Sequence, residues 1–201
     1  MSPARRRAEV DRFWSQLRAQ HPSLTSAVAA DARVTAAGRG EQSEPRTVLG
    51  AVFRAVRLCL VTDAFLAQVC YRAKAASQAR RVPIAPWLLH RAAIVLGQVS
   101  IGDPVVVEPG IYLPHGQVVI DGMTRVAQRV TISPFVTIGL MAGDVVGPRI
   151  GPRVTIGTGA SVLGPVEVGA GAKVGAGAVV CADVPPGATA VGVPARVVAR
   201  D

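Results

Sequence analysis

The stretch IGPRVTIGTGASVLGPVEVGAGAKVGAGAVV, residues 150–180, places an aliphatic side chain at every sixth position: Ile150, Ile156, Val162, Val168, Val174 and Val180. A second series follows four residues behind, at Val154, Ala160, Val166, Ala172, Ala178 and Val184. An α-helix repeats its apolar stripe at 3.6 residues and a half-buried strand alternates with period two, so neither sustains this pattern. A hexad with two inward positions fits short flat strands joined by tight corners, each coil burying its interior against its neighbours. Towards the N-terminus the first series continues through Ile138, Ile132, Val126 and Ile120, then, across one extra residue, through Leu113, Val107 and Ile101. Val136, Val130, Ile111 and Val105 continue the second series. From Ile138 to Ile150 the interval is two repeat lengths, so residues 140–149 either leave the coil as a loop or distort it. Glycine follows the aliphatic at Gly139, Gly151, Gly157, Gly169 and Gly175, where tolerance of positive φ would help to turn a corner.

Composition shifts where the hexads begin. Of 21 glycines in the 201 residues, 4 precede residue 99. Residues 1–98 read as an α-helical N-terminal domain and residues 99–201 as the coil with its C-terminal tail. Ser2-Pro3 is a helix-start signal, Val10, Phe13, Trp14 and Leu17 follow at helical spacing, and His21-Pro22 ends that helix. A short Ala-rich segment leads into residues 36–46, a flexible linker by composition. Helical patterns resume from about Thr47 to Val61, from Asp63 to Ser77 and, after Val82-Pro83, from about Ile84 to Gly97.

The net charge of +9 lies wholly in the first half, where 15 Lys and Arg face 6 Asp and Glu; residues 99–201 carry 7 of each. Aromatic residues are few among the arginines, at 4% of the whole chain, so solvated helix faces account for the bias better than a nucleic-acid site. Three well-separated cysteines, Cys59, Cys70 and Cys181, in apolar surroundings read as buried reduced thiols. The longest apolar run, residues 48–61, is broken by Arg54 and Arg57, and no apolar signal core follows the basic N-terminus. A cytoplasmic protein without a membrane span is expected.

GIYLPHGQVVIDG (residues 110–122), VTISPFVTIG (130–139), AKVGAGA (172–178) and DVPPGATAVGVPAR (183–196) together resemble the bacterial serine O-acetyltransferases. These belong to the hexapeptide-repeat acyltransferases, whose all-β left-handed parallel β-helix follows an α-helical N-terminal domain. The resemblance implies acetyl transfer from acetyl-CoA to the hydroxyl of L-serine or a close analogue, without a metal. It also implies a homotrimer, and leaves open whether the N-terminal helices join two trimers.

An alcohol attacks a thioester poorly at neutral pH unless a base takes its proton, and imidazole suits that task. His115 is the one histidine of the repeat region and sits in the interruption between Leu113 and Ile120. The matching family histidine is the general base. In the family it is oriented by an aspartate of an Asp-Ile-His-Pro segment; Ser100 and Gly102 stand in this chain where that segment has its aspartate and histidine. Pro114 replaces an acidic neighbour of the base, Gly147 aligns with a second histidine, and Thr62–Phe65 is a weak match to the acidic Arg-Asp-Pro-Ala element. Asp103, Glu108 and Asp121 are candidate replacement carboxylates. For the CoA side the resemblance points to small residues along the pantetheine groove, Gly139, Gly157, Thr158 and Ala176, and to Lys173 and Arg196 for nucleotide phosphates. The altered positions motivate a second reading, acetylation of another acceptor such as a sugar, an antibiotic or a biosynthetic amino acid. A γ-type carbonic anhydrase needs three zinc-ligating histidines, which one histidine in the coil does not supply. A non-catalytic scaffold is the remaining alternative.

Overall fold

The computed structural model describes residues 12–41 and 44–198. Three parallel sheets wrap one axis. The first contains β1 (Val99–Ile101), β3 (Val118–Ile120), β6 (Thr137–Gly139), β9 (Ser161–Leu163) and β12 (Val179–Val180). The second contains β2 (Val106–Val107), β4 (Arg125–Val126), β7 (Arg149–Ile150) and β10 (Glu167–Val168). The third contains β5 (Thr131–Ile132), β8 (Thr155–Ile156), β11 (Lys173–Val174), β13 (Thr189–Val191) and β14 (Arg196–Val198). Only the last pair, β13 with β14, is antiparallel. Ile120 pairs with Ile138 and Val162 with Val180, three hexads apart, which makes each coil a triangle of three strands. Ile138 pairs with Val162 instead, one hexad further on, and the surplus leaves the coil as an exposed loop between β6 and β7.

Every member of both aliphatic series is buried. Val118 and Thr124 occupy second-series positions that the periodicity passes over, Val118 because the extra residue shifts it and Thr124 because it is polar. Thr124 is fully buried and its hydroxyl donates to the Asp121 carbonyl at 2.6 Å. One expectation is corrected. The glycines directly after the aliphatics do not take positive φ; the left-handed residue comes three positions after the aliphatic, at Gly159, Gly171 and Gly177 and at Arg129, Phe135 and Arg153. Gly151, Gly157 and Gly169 are glycine for lack of room. A β-carbon on them would meet the next coil's backbone at 2.8, 2.6 and 2.4 Å.

Helix α1 covers residues 12–19 of the described chain, so the Ser2-Pro3 start lies outside the described residues. Then come α2 (Leu24–Gly38), α3 (Val48–Val61), α4 (Phe65–Ala79) and α5 (Ala85–Gly97). The Ala-rich segment is thus a complete helix. Ala has the strongest helix propensity, and the Ser23 side chain accepts from the Ser26 N–H at its start. Residues 36–38, assigned to the linker by composition, are its last turn, with Ala36 buried. The thiol expectation also needs amending: Cys70 is buried and Cys59 half-buried, but Cys181 is exposed. No helix among the described residues is long and apolar enough to cross a membrane.

A solenoid end exposes unpaired backbone groups and needs a cap. Helix α4 provides it with polar side chains. Tyr71 Oη donates to the Val105 carbonyl at 2.9 Å and accepts from the Val107 N–H at 3.2 Å. Lys74 Nζ donates to the Ile101 carbonyl at 2.6 Å and to Asp103 at 3.0 Å. Arg72 donates to the carbonyls of Val107 and Glu108 and forms a two-pronged pair with Asp31 of α2, at 2.9 and 3.2 Å. Asp31 in turn accepts from the N–H groups of Gly110 and Ile111 at 2.7 and 3.1 Å. Burial of Arg72, against the solvated role foreseen for the arginines, is therefore compensated at both ends.

His21, at the end of α1, packs edge-on to Tyr71. Burial, then the charges of Arg72 and Lys74, push its pKa from 6.5 down to about 4. The folded protein therefore binds fewer protons than the unfolded chain between those values, and His21 contributes stability that is lost as pH falls from about 6.5 to about 4. Thermal unfolding across that window should show Tm falling with pH, and His21→Gln should reduce the slope. An equal slope in the variant would reject this contribution.

Candidate active site

His115 lies in the turn that joins the third face of the first coil to β3. Glycine follows it for a steric reason. A β-carbon at Gly116 would sit 2.2 Å from the Gly97 carbonyl oxygen, so the turn packs directly against the C-terminus of α5. Gly97 is equally confined: a β-carbon there would come within 2.6 Å of Ala67 Cβ and 3.3 Å of the Asp63 carbonyl oxygen. These close approaches bring the junction between α3 and α4 beside the His115 turn. Asp63 stands in that junction, just after Thr62, whose hydroxyl donates to the Leu58 carbonyl at 2.7 Å and closes α3.

The result is a contact between His115 Nδ1 and Asp63 Oδ2 at 2.6 Å, across 52 residues of sequence. Both side chains are largely open to solvent, at 61% and 69% exposure. A carboxylate only accepts, so in the neutral ring Nδ1–H donates to it and Nε2 keeps its lone pair. The pair opens into a cleft of about 470 Å³, lined also by Leu96, Gln98, Gln117, Pro134 and Phe135. The Gln117 N–H donates to the Gln98 carbonyl at 2.7 Å, tying the His115 turn to the end of α5.

The other carboxylates are engaged elsewhere. Lys74 holds Asp103 at 3.0 Å, and its ammonium together with Gln78 lowers the Asp103 pKa against the opposing effect of burial. Glu108 accepts from the Gln128 N–H at 3.0 Å, and Asp121 covers Gly102. Ser100 is in β1, paired with Val119. Gly147, in the loop, packs on Thr124. Asp63 was legible in sequence only as part of the weak Thr62–Phe65 match, and nothing local ties it to His115.

Of the residues proposed for CoA, Thr158 and Ala176 occupy the same corner as His115 in later coils. That corner is stitched along the axis: the Gly159 N–H donates to the Pro134 carbonyl at 3.0 Å and the Gly177 N–H to the Thr158 carbonyl at 2.8 Å. Gly157 follows β8, and the space its missing side chain leaves is filled by the Ala176 backbone. Lys173 and Arg196 lie exposed on the third sheet, which runs into this corner. Gly139 ends β6, at the end of the first sheet's strands remote from this corner, with open space where a side chain would be.

A family model described as bacterial transferase hexapeptide (six repeats) matches residues 147–182. The structure of soybean serine acetyltransferase complexed with serine aligns at a TM-score of 0.70 and 35% identity, over 90% of this chain and 71% of its own. The chain belongs to the serine acetyltransferase family. The Vibrio cholerae serine acetyltransferase is 31% identical, with a TM-score of 0.72, and is matched over 92% of this chain and 69% of its own. A serine acetyltransferase in complex with CoA gives a TM-score of 0.72 at 29% identity, over 88% and 70% of the two chains. The search of curated proteins gives no match. As a member of the serine acetyltransferase family the chain is an acyltransferase, and its coil is a left-handed β-helix.

Proposed function

We propose that the chain transfers acetyl from acetyl-CoA to an acceptor hydroxyl by direct attack, with His115 as general base; L-serine or a close analogue, as bound by its relatives, is the reference acceptor. The observation that carries this reading is the contact of His115 Nδ1 with Asp63 at 2.6 Å in an open cleft. Nε2 takes the hydroxyl proton as the oxygen forms its bond to the thioester carbonyl carbon. The same nitrogen returns the proton to the departing thiolate as the C–S bond breaks, so no net charge remains on the ring. Asp63 keeps the ring in one tautomer and offsets the positive charge it carries between those steps. Thr158, Ala176, Gly139 and Gly157 are the proposed pantetheine positions, and Lys173 and Arg196 the phosphate partners; the corner shared by His115, Thr158 and Ala176 supports this. A homotrimer is the proposed assembly. The exposed apolar side chains of α3, among them Val52, Phe53 and Leu60, support contact between copies.

Thiol release from acetyl-CoA in the presence of L-serine tests acetyl transfer directly. Asp63→Asn should lower kcat roughly three- to tenfold, as fits an exposed pair, with little change in Tm. An unchanged kcat would remove Asp63 from the mechanism.

A further inference from the structure

A second cavity, of about 430 Å³, lies between α1, the link from α4 to α5 and the first corner of the coil. Trp14 and Leu17 of α1 and Pro86 of α5 form its apolar wall, while Arg18 lines it from α1 and Arg81 from just past the end of α4. Among the described residues neither arginine has an ion pair or a side-chain hydrogen bond. Asp103, the one carboxylate lining the cavity among the described residues, is already held by Lys74 at 3.0 Å. His21 adds no charge near neutral pH, since burial and then the charges of Arg72 and Lys74 hold its pKa at about 4. Two unpaired cations therefore leave the cavity net positive.

The link beside it is strained. The Ala85 N–H donates to the Pro83 carbonyl at 2.7 Å around Ile84, whose φ is 68°. A γ-turn with positive φ is rare, and a β-branched residue at its centre makes it costlier. Val82 and Pro86, on either side of this turn, line the cavity, and such strain persists mainly at ligand clamps and switch regions. The site is separate from the His115 cleft. Helix α4 has Asp63 just before its start and Arg81 just past its end, and at 1.5 Å per residue its 15 residues set the two cavities about 20 Å apart.

We infer that this cavity is a second ligand site, for a phosphate monoester carrying a planar ring, with the phosphate at Arg18 and Arg81 and the ring against Trp14. A phosphate monoester carries a charge of about −1.5 to −2 at neutral pH, which matches two guanidinium groups, whereas a carboxylate answers only one. Its oxygens suit the planar fork of arginine, which pairs with phosphate through two parallel hydrogen bonds. The indole of Trp14 offers a large face for an offset-stacked or edge-on ring. A volume of about 430 Å³ falls within the ~300–1,000 Å³ of small-molecule sites. The site is independent of the acetyl-transfer reading, because none of its residues belongs to the His115 cleft or to the positions proposed for CoA.

The test is calorimetric titration of the full chain, with and without saturating CoA, using phenyl phosphate, inorganic phosphate, benzoate and benzyl alcohol as probes. Phenyl phosphate should bind once per chain in the presence of CoA, about tenfold or more tighter than each of the other three. The double variant Arg18→Gln, Arg81→Gln should weaken phenyl phosphate by about tenfold or more, and Trp14→Leu by about threefold or more. Both arginines lie outside the buried core, so the double variant should keep the wild-type Tm and rate of thiol release. Unchanged affinity in that variant overturns the inference. Benzoate or inorganic phosphate binding as tightly as phenyl phosphate does the same. Binding that CoA abolishes assigns the phosphate to the CoA groove and removes the second site, as does absence of binding up to about 10 mM phenyl phosphate. Each of these results leaves the acetyl-transfer reading untouched.

Discussion

His115→Ala is expected to lower kcat for acetyl transfer by about 10²–10⁴-fold, the usual contribution of a positioned general base. The reasoning is geometric. Nδ1 is engaged by Asp63, so Nε2 is the one ring atom available to accept a proton, and alanine removes both. Since His115 is 61% exposed and takes no part in the buried core, Tm should stay within about 1 °C of wild type. CoA affinity, measured by calorimetry, should also be retained, because the proposed pantetheine contacts lie in later coils. A variant with wild-type kcat would end the role of His115 as base, whatever the acceptor.

Asp31→Ala is expected to have the largest effect on stability. It leaves the Arg72 guanidinium buried without its carboxylate and strips the acceptor from the Gly110 and Ile111 N–H groups. Breaking one partner of a buried pair costs about 3–5 kcal/mol, which for a chain of this size lowers Tm by roughly 6–20 °C. Arg72→Met in the same background should recover only part of that loss, because Arg72 also satisfies the carbonyls of Val107 and Glu108. Full recovery would mean that the guanidinium does not cap the coil end. Scanning calorimetry of the two variants decides the matter.

The coil was legible because its code is local and repeated. An aliphatic at every sixth position can bury itself in only one way, and Ile101 through Val180 all point inward. Helices α3, α4 and α5 were legible for a related reason, their apolar spacing, with Val82-Pro83 separating α4 from α5. Helix α2 was not, since an Ala-rich run has too little contrast between faces to announce its length, and the Gly38 and Gly40 region obscured its end. The roles of the glycines after the aliphatics were misread because crowding between coils and left-handed φ both demand glycine, and sequence alone does not say which acts.

The sequence by itself determined the hexad coil, the helical domain ahead of it and the singling-out of His115, carried by hexads and short motifs whose physics is contained within a few residues, while the left hand of the coil and the acyltransferase family came through the resemblance of those motifs. Only the tertiary structure decided what faces His115. Asp63 reaches it from 52 residues away because Gly97 and Gly116 have no side chains to hold the helices off the coil. It likewise exposed Phe135 to the cleft and buried Arg72 against Asp31. Such contacts depend on how two separately encoded units close on each other, and no local periodicity encodes that approach.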